Sequence, residues 1–208
     1  MFTGIGGSDR AFDLAGFESA WQIENAKFPR RVLEARWPDV KRYNDVSRVN
    51  AAELTDVDVL HGGFPCQDVS VAGRRAGLAG ERSGLFHEFI RLAATLRPRW
   101  IVIENVPGLL SSNDGGDMGT ILGTLADLGY GWAYRVLDAQ HFGLAQRRER
   151  VFWVSVSSPR SSASAYKDST TVGRASAMLK ESRRAARVLT RHATVPSATR
   201  SRSPSCVG

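Results

Sequence analysis

The chain has 208 residues, 42% of them hydrophobic, which suits one globular domain with a core of its own. No apolar run approaches the about 18 residues of a membrane span, and the opening Met1-Phe2-Thr3-Gly4 lacks the basic and apolar regions of a signal peptide. The net charge of +7 belongs to the tail: residues 1–158 hold 18 Lys and Arg against 19 Asp and Glu, and residues 159–208 hold 10 against 2.

The two cysteines, Cys66 and Cys206, stand in unlike surroundings. They suggest no disulfide framework, and a reducing cytoplasm is the simplest setting.

In chain order, Met1-Phe2-Thr3-Gly4 reads as the end of a first strand whose body is missing, through an upstream start or a cut. The glycines of Phe2-Thr3-Gly4-Ile5-Gly6-Gly7 then separate that strand from a helix starting near Ser8 or Asp9. Such glycines let a backbone approach a bound cofactor, although a plain tight turn needs them equally. Glu24 follows the apolar stretch Ala20-Trp21-Gln22-Ile23. An acid at a second strand's end can accept from ribose hydroxyls; without other signals it is a surface Glu. These features do not separate a nicotinamide cofactor from S-adenosylmethionine.

Residues 57–60 read as a strand, and Gly62-Gly63-Phe64-Pro65-Cys66-Gln67 follows it. A lone cysteine is usually a small buried hydrophobe. Here the Gly-Gly-Phe-Pro lead, with Pro65 fixing the backbone, favours an accessible thiol at a strand's carboxyl end. A nucleophilic role needs the thiolate. Residues 69–84 carry Gly73, Gly77, Gly80 and Gly84 with Arg74, Arg75 and Arg82. This is a lid over a substrate or a surface connection.

A helix is predicted over residues 85–96 with Leu85, Phe89, Leu92 and Leu96 on one face. Residues 100–103 form a further predicted strand ending in Glu104-Asn105-Val106. Burial there would raise the Glu104 pKa and let it donate to a ring nitrogen; the alternative is pairing with a structural Arg. A second helix over 118–128 has Ile121, Leu122, Leu125 and Leu128. Residues 134–137 and 151–154 are the last predicted strands. Gln146-Arg147-Arg148-Glu149-Arg150 precedes the final one. It is a solvated charged face or a fixed clamp for an anion or base. Strand–helix alternation predicts a doubly wound, mostly parallel α/β sheet, with ligands at the strands' carboxyl ends. Beyond Pro159 the composition turns to Ser, Arg, Ala and Thr. The expected division is therefore a domain over 1–158 and a basic tail over 159–208, disordered or partly helical. Such a tail binds nucleic acid through phosphate neutralisation or is merely solvated.

Taken in order, the Phe-x-Gly-x-Gly-Gly, Pro-Cys-Gln, Glu-Asn-Val and Gln-x-Arg-x-Arg blocks resemble the DNA (cytosine-5) methyltransferase family over residues 1 to about 156. The resemblance implies a Rossmann-like fold that binds S-adenosylmethionine and methylates C5 of a flipped cytosine in double-stranded DNA, in a restriction-modification or phage DNA-modification setting. It implies that Phe2, Gly4, Ile5, Gly6, Gly7 and Pro65 line the cofactor pocket, with Glu24 on the ribose and Asp45 near the adenine. Cys66 would be the nucleophile, Glu104 would contact cytosine N3, and Arg148 and Arg150 would support the base and Glu104. Gln67, Ser70, Arg82 and Asn105 would contact substrate. No metal and no membrane are implied.

Family members continue into a target recognition domain and a final segment that completes the cofactor pocket, and neither is found here. The expectation is a truncated product, or a split enzyme whose second subunit supplies recognition, or a minimal tail in its place. The rival functions are an RNA cytosine methyltransferase of the same fold, an inactive DNA-binding remnant, and a nicotinamide enzyme.

Overall fold

The computed structural model describes residues 1–65 and 84–157. Residues 159–208, expected to be a separate tail, lie outside the described residues.

The described residues form two parallel or mixed sheet segments and four main helices. The first segment pairs β1 (Trp21–Ile23) with β2 (Lys41–Tyr43) in parallel. The second has the order β3-β4-β6-β5: Val59–Gly62, Trp100–Asn105, Glu149–Ser157 and Tyr130–Asp138. β3 and β4 are parallel, and β6 is antiparallel to both β4 and β5. The helices are α1 (Gly7–Leu14), α2 (Lys27–Arg36), α3 (Gly84–Leu96) and α4 (Gly116–Asp127).

Residues 1–3 lace the two segments together. The Thr3 N–H donates to Ile23 O at 3.2 Å, and the Met1 nitrogen donates to His61 O at 2.7 Å. The chain therefore winds outward in both directions from this short segment, through β1 and β2 on one side and β3 and β4 on the other. This is the doubly wound arrangement expected from the sequence, and its switch point is where such sheets bind ligands.

The strands predicted from residue 20 onward are all present, with shifted bounds, whereas residues 1–4, read as the end of a first strand, form no strand and only bridge the two segments through the Met1 and Thr3 bonds. The strand expected at 57–60 runs from Val59 to Gly62 because it takes its register from β4, Val59 against Trp100 and Gly62 against Ile103. Strand β5 is nine residues long, far beyond the four expected, because β6 pairs with it along its whole length. Strand β2 and helix α2 are polar and short, and periodicity did not mark them.

Strand β4 alternates between half-buried and buried positions, so Ile101, Ile103 and Asn105 share a face. That face packs with Phe86, Phe89 and Leu92 of α3 and with Val151 and Trp153 of β6 in one core. In α3 the fully buried stripe is Phe86, Phe89, Leu92 and Ala93, while the expected Leu85 and Leu96 are only partly buried at its margin. In α4, Met118, Ile121 and Leu125 are buried, and Leu122 and Leu128 pack beside them. Among the described residues no helix is long and apolar enough to cross a membrane.

Candidate active site

Parallel β3 and β4 finish at the same sheet edge, so the residues just past them meet. A Cβ added to Gly63 would lie 2.6 Å from Glu104 Oε2 and 3.2 Å from its backbone oxygen. A side chain there would displace the Glu104 carboxylate. The buried Asn105 side chain donates to Phe64 O at 3.2 Å and accepts from the Val106 N–H at 2.7 Å. Asn105, expected to contact substrate, thus holds the backbone of the segment that ends at Pro65, the residue before Cys66.

The antiparallel course of β6 brings its amino-terminal end to this edge. Arg150 Nε lies 2.8 Å from Glu104 Oε1, with the two side chains 24% and 33% exposed. A second guanidinium nitrogen of Arg150 donates to Glu149 O at 2.8 Å, which fixes the fork. Of the two expectations for Glu104, burial as a donor or pairing with an arginine, the structure shows the arginine. Glu104 is half-buried and ion-paired, with its second oxygen facing Gly63. Arg148 is exposed, and its guanidinium makes no hydrogen bond or ion pair among the described residues.

The glycine turn lies at the switch point. Gly4 and Gly6 have φ of +56° and +85°, in the left-handed region where glycine carries no penalty. A Cβ on Gly6 would sit 2.4 Å from the Trp37 ring, whose indole N–H donates to Asp13 at 2.9 Å. The Gly4 N–H donates to Glu24 Oε2 at 2.7 Å, and the Ala26 N–H donates to Oε1 at 2.9 Å. Glu24 is thus oriented by two backbone donors and stays partly accessible. Phe2 packs against the core with φ of 52°, Gly7 opens α1, and Ile5 is 58% exposed at the tip of the turn. Asp45 caps a short 3-10 turn: it accepts from the Ser47 N–H and hydroxyl and pairs with Arg48 at 3.3 Å. The Ser47 bonds hold its carboxyl below the usual range.

Two further features escaped the sequence reading. Asp9, in the first turn of α1, is buried and accepts from Gln22 Nε2 at 2.9 Å, while its other oxygen lies 4.0 Å from His61 Nε2. Burial, helped by the Met1 amine, pushes the His61 pKa down to about 3, so its imidazole is neutral. An acid beside a glycine turn reads as an ordinary first-turn residue, and nothing local shows that it is buried. Asp138, at the end of β5, accepts from the backbone N–H of both Gln140 and Arg148. Its burial works against ionisation, but those donors and the nearby His141 and Arg147 carry its pKa below the usual value.

Cys66, Gln67, Ser70 and Arg82, and the glycine-rich segment up to residue 83, lie outside the described residues. Among the described residues, no group of three or more His, Cys, Asp or Glu is placed to hold a metal.

A switch-point glycine turn, a carboxylate after β1 and a mixed sheet closed by an antiparallel β6 define the class. The fold is that of the Rossmann-like, S-adenosylmethionine-dependent methyltransferases. The family model described as C-5 cytosine-specific DNA methylase matches residues 1–195, and the chain belongs to that family. The chain is similar to the type II methyltransferase M2.BsuMI of Bacillus subtilis, with 41% identity over 73% of this chain and 39% of the relative. It is similar to the type II methyltransferase M.HhaI of Haemophilus parahaemolyticus, with 30% identity over 74% of this chain and 47% of the relative. The chain thus spans less than half the length of these relatives. Among solved structures, the Spodoptera frugiperda DNMT2 mutant E260A/E261A/K263A matches with a TM-score of 0.63 at 18% identity, over 81% of this chain and 52% of that one. That likeness shows the fold.

Proposed function

We propose that this chain is the catalytic part of a DNA cytosine-5 methyltransferase acting on a cytosine flipped out of duplex DNA, in a restriction-modification or phage DNA-modification setting. The observation that carries this reading is the contact between Gly63 and Glu104, with Arg150 paired to the same carboxylate. The backbone that leads through Pro65 to Cys66 runs past an oriented acid, and cytosine chemistry needs those two groups together. We also read residues 1–158 as the catalytic unit and 159–208 as a separate basic tail. Target recognition would come from outside this catalytic unit, through further chain or a second subunit, and the setting would be the cytoplasm.

The residues present fit S-adenosylmethionine. Each oxygen of Glu24 accepts one backbone donor and keeps a lone pair for a ribose hydroxyl. Gly4 has nothing within 4 Å of where its Cβ would lie and leaves the turn's backbone open to close approach, Gly6 lets the turn pack on Trp37, and Phe2, Ile5, Gly7, Asp45 and Pro65 complete the pocket. S-adenosylmethionine, when bound, supplies the electrophilic methyl group.

Cytosine C5 is a poor nucleophile. The Cys66 thiolate adds to C6, forming a C–S bond and pushing the ring electron pair toward C5 and N3. Glu104, held by Arg150, faces N3 and stabilises that density by hydrogen bonding or proton transfer. C5 takes the methyl group, loses its proton to a base, and the C–S bond breaks to release the Cys66 thiolate. Arg148 supports the flipped base, Gln67, Ser70 and Arg82 would contact the substrate, and Asn105 acts on it only through the Phe64 backbone that it holds. Flipping costs on the order of a few kcal/mol, recovered from pocket contacts.

The test uses duplex DNA with 5-fluorocytosine, whose C5 offers no proton to remove. With S-adenosylmethionine and any partner subunit supplied, the wild-type chain forms a covalent adduct that survives denaturation. Cys66→Ala forms none. An adduct in the mutant, or its absence in the wild type, overturns the reading.

A further inference from the structure

We propose that Asp138 is the positioning residue of the arginine loop, tying both limbs of residues 139–148 so that Arg148 is presented at a fixed place beside the Glu104–Arg150 pair. This deepens the proposed function and rests on it for the role of Arg148.

Residues 140–148 are exposed throughout, so burial does not hold this loop in shape. Its base is held by polar contacts that converge on one carboxylate. Asp138 Oδ1 accepts from the Gln140 N–H at 3.1 Å and from the Arg148 N–H at 3.0 Å. Oδ2 accepts from the Gln140 side chain at 3.0 Å. Beside them the Ala139 N–H donates to Arg148 O at 3.0 Å.

The Gln140 contact alone is an ordinary cap of the short 3-10 turn Ala139–Phe142. A cap does not explain the second bond, which reaches ten residues along the chain to the backbone of an arginine. Asp138 is itself buried, with a relative exposure of 8%, so water competes poorly for its oxygens. From Arg148 the chain passes through Glu149 to Arg150, whose guanidinium is already committed to Glu104. With the Arg148 backbone pinned on one side and Arg150 on the other, the guanidinium of Arg148, which has no partner among the described residues, has a restricted reach. Placement of a group by about 1 Å is worth on the order of 100-fold in rate.

The test compares wild type, Asp138→Ala and Asp138→Asn in the full chain with any partner subunit. Asparagine keeps the Oδ1 acceptor and alanine removes it. The first readout is hydrogen exchange of the Gln140 and Arg148 amides, which needs no activity. Asp138→Ala exchanges there about tenfold faster, the cost of a lost hydrogen bond, with a melting temperature lowered by no more than a few degrees, and Asp138→Asn restores the wild-type rate. The second readout is methyl transfer. Asp138→Ala lowers kcat on the order of 100-fold with S-adenosylmethionine affinity unchanged, and asparagine recovers most of it. Equal exchange in all three proteins overturns the anchor. Faster exchange with wild-type kcat overturns its role in presenting Arg148. A wild-type chain that transfers no methyl group, with the exchange pattern as expected, overturns the functional reading and leaves the anchor standing.

Discussion

Arg150 and Glu104 sit 2.8 Å apart, a guanidinium on the carboxylate at the end of the neighbouring strand. The pair exists because β6 runs antiparallel to β4, with Phe152 opposite Glu104 and Val151 opposite Asn105. The strand that enters at Arg150 therefore starts where β4 stops.

This pairing makes Arg150 a partner of the acid rather than a surface charge. Arg150→Ala removes a charge-assisted bond and leaves the half-buried Glu104 without this cation. We expect methyl transfer to slow about 10- to 100-fold with S-adenosylmethionine affinity retained. Single-turnover rates beside calorimetric cofactor binding check this, and unchanged turnover removes Arg150 from the machinery.

Glu104→Gln preserves the shape of the side chain and removes its capacity to exchange a proton. The expected result is cofactor binding as in wild type and methyl transfer slowed by about 10²- to 10⁴-fold. Wild-type turnover in this variant takes Glu104 out of the mechanism.

The glycine turn offers a comparison of adjacent positions. Gly6→Ala places a Cβ 2.4 Å from the Trp37 ring at a φ of +85°, so it should destabilise by about 2–4 kcal/mol. Gly7, the first residue of α1, has open space where its Cβ would go and no positive φ. Gly7→Ala should stay within about 0.5 kcal/mol of wild type or gain slightly. Urea unfolding of both variants measures the difference, and equal midpoints contradict this geometry.

His61 sets an acid limit on stability. Its folded pKa lies near 3 against an ordinary 6.5, mainly through burial. The unfolded chain thus binds more protons between those values, and stability falls as pH drops through that window. The Asp9 carboxylate 4.0 Å away and the Met1 amine are the charged groups nearest to it. Unfolding midpoints at pH 7 and pH 5 should differ more for wild type than for His61→Gln. Parallel slopes mean that His61 titrates normally.

Deleting residues 159–208 removes 10 Lys and Arg and 2 acids. We expect weaker DNA binding with a shallower dependence of log K on log salt, at unchanged stability of the remainder. An identical salt slope shows that the tail leaves phosphate untouched.

By itself the sequence determined the alternation of strands and helices, the stripes on α3 and α4, and the order of the four motif blocks, because side-chain periodicity and short motifs are local properties of a chain. Cys66, Glu24, Glu104 and Arg150 could be singled out there as chemistry-bearing, each beside a strand end. Only the tertiary structure decided which of the described residues touch. Gly63 abuts Glu104 because β3 and β4 are parallel neighbours, and Arg150 reaches Glu104 because β6 is inserted antiparallel between β4 and β5. Asn105 holds backbone rather than facing outward, Asp9 is buried against Gln22, and Asp138 ties a loop ten residues long. Strand order and direction are set by long-range packing, and no local pattern around Asp9 or Asp138 encodes what will be folded against it.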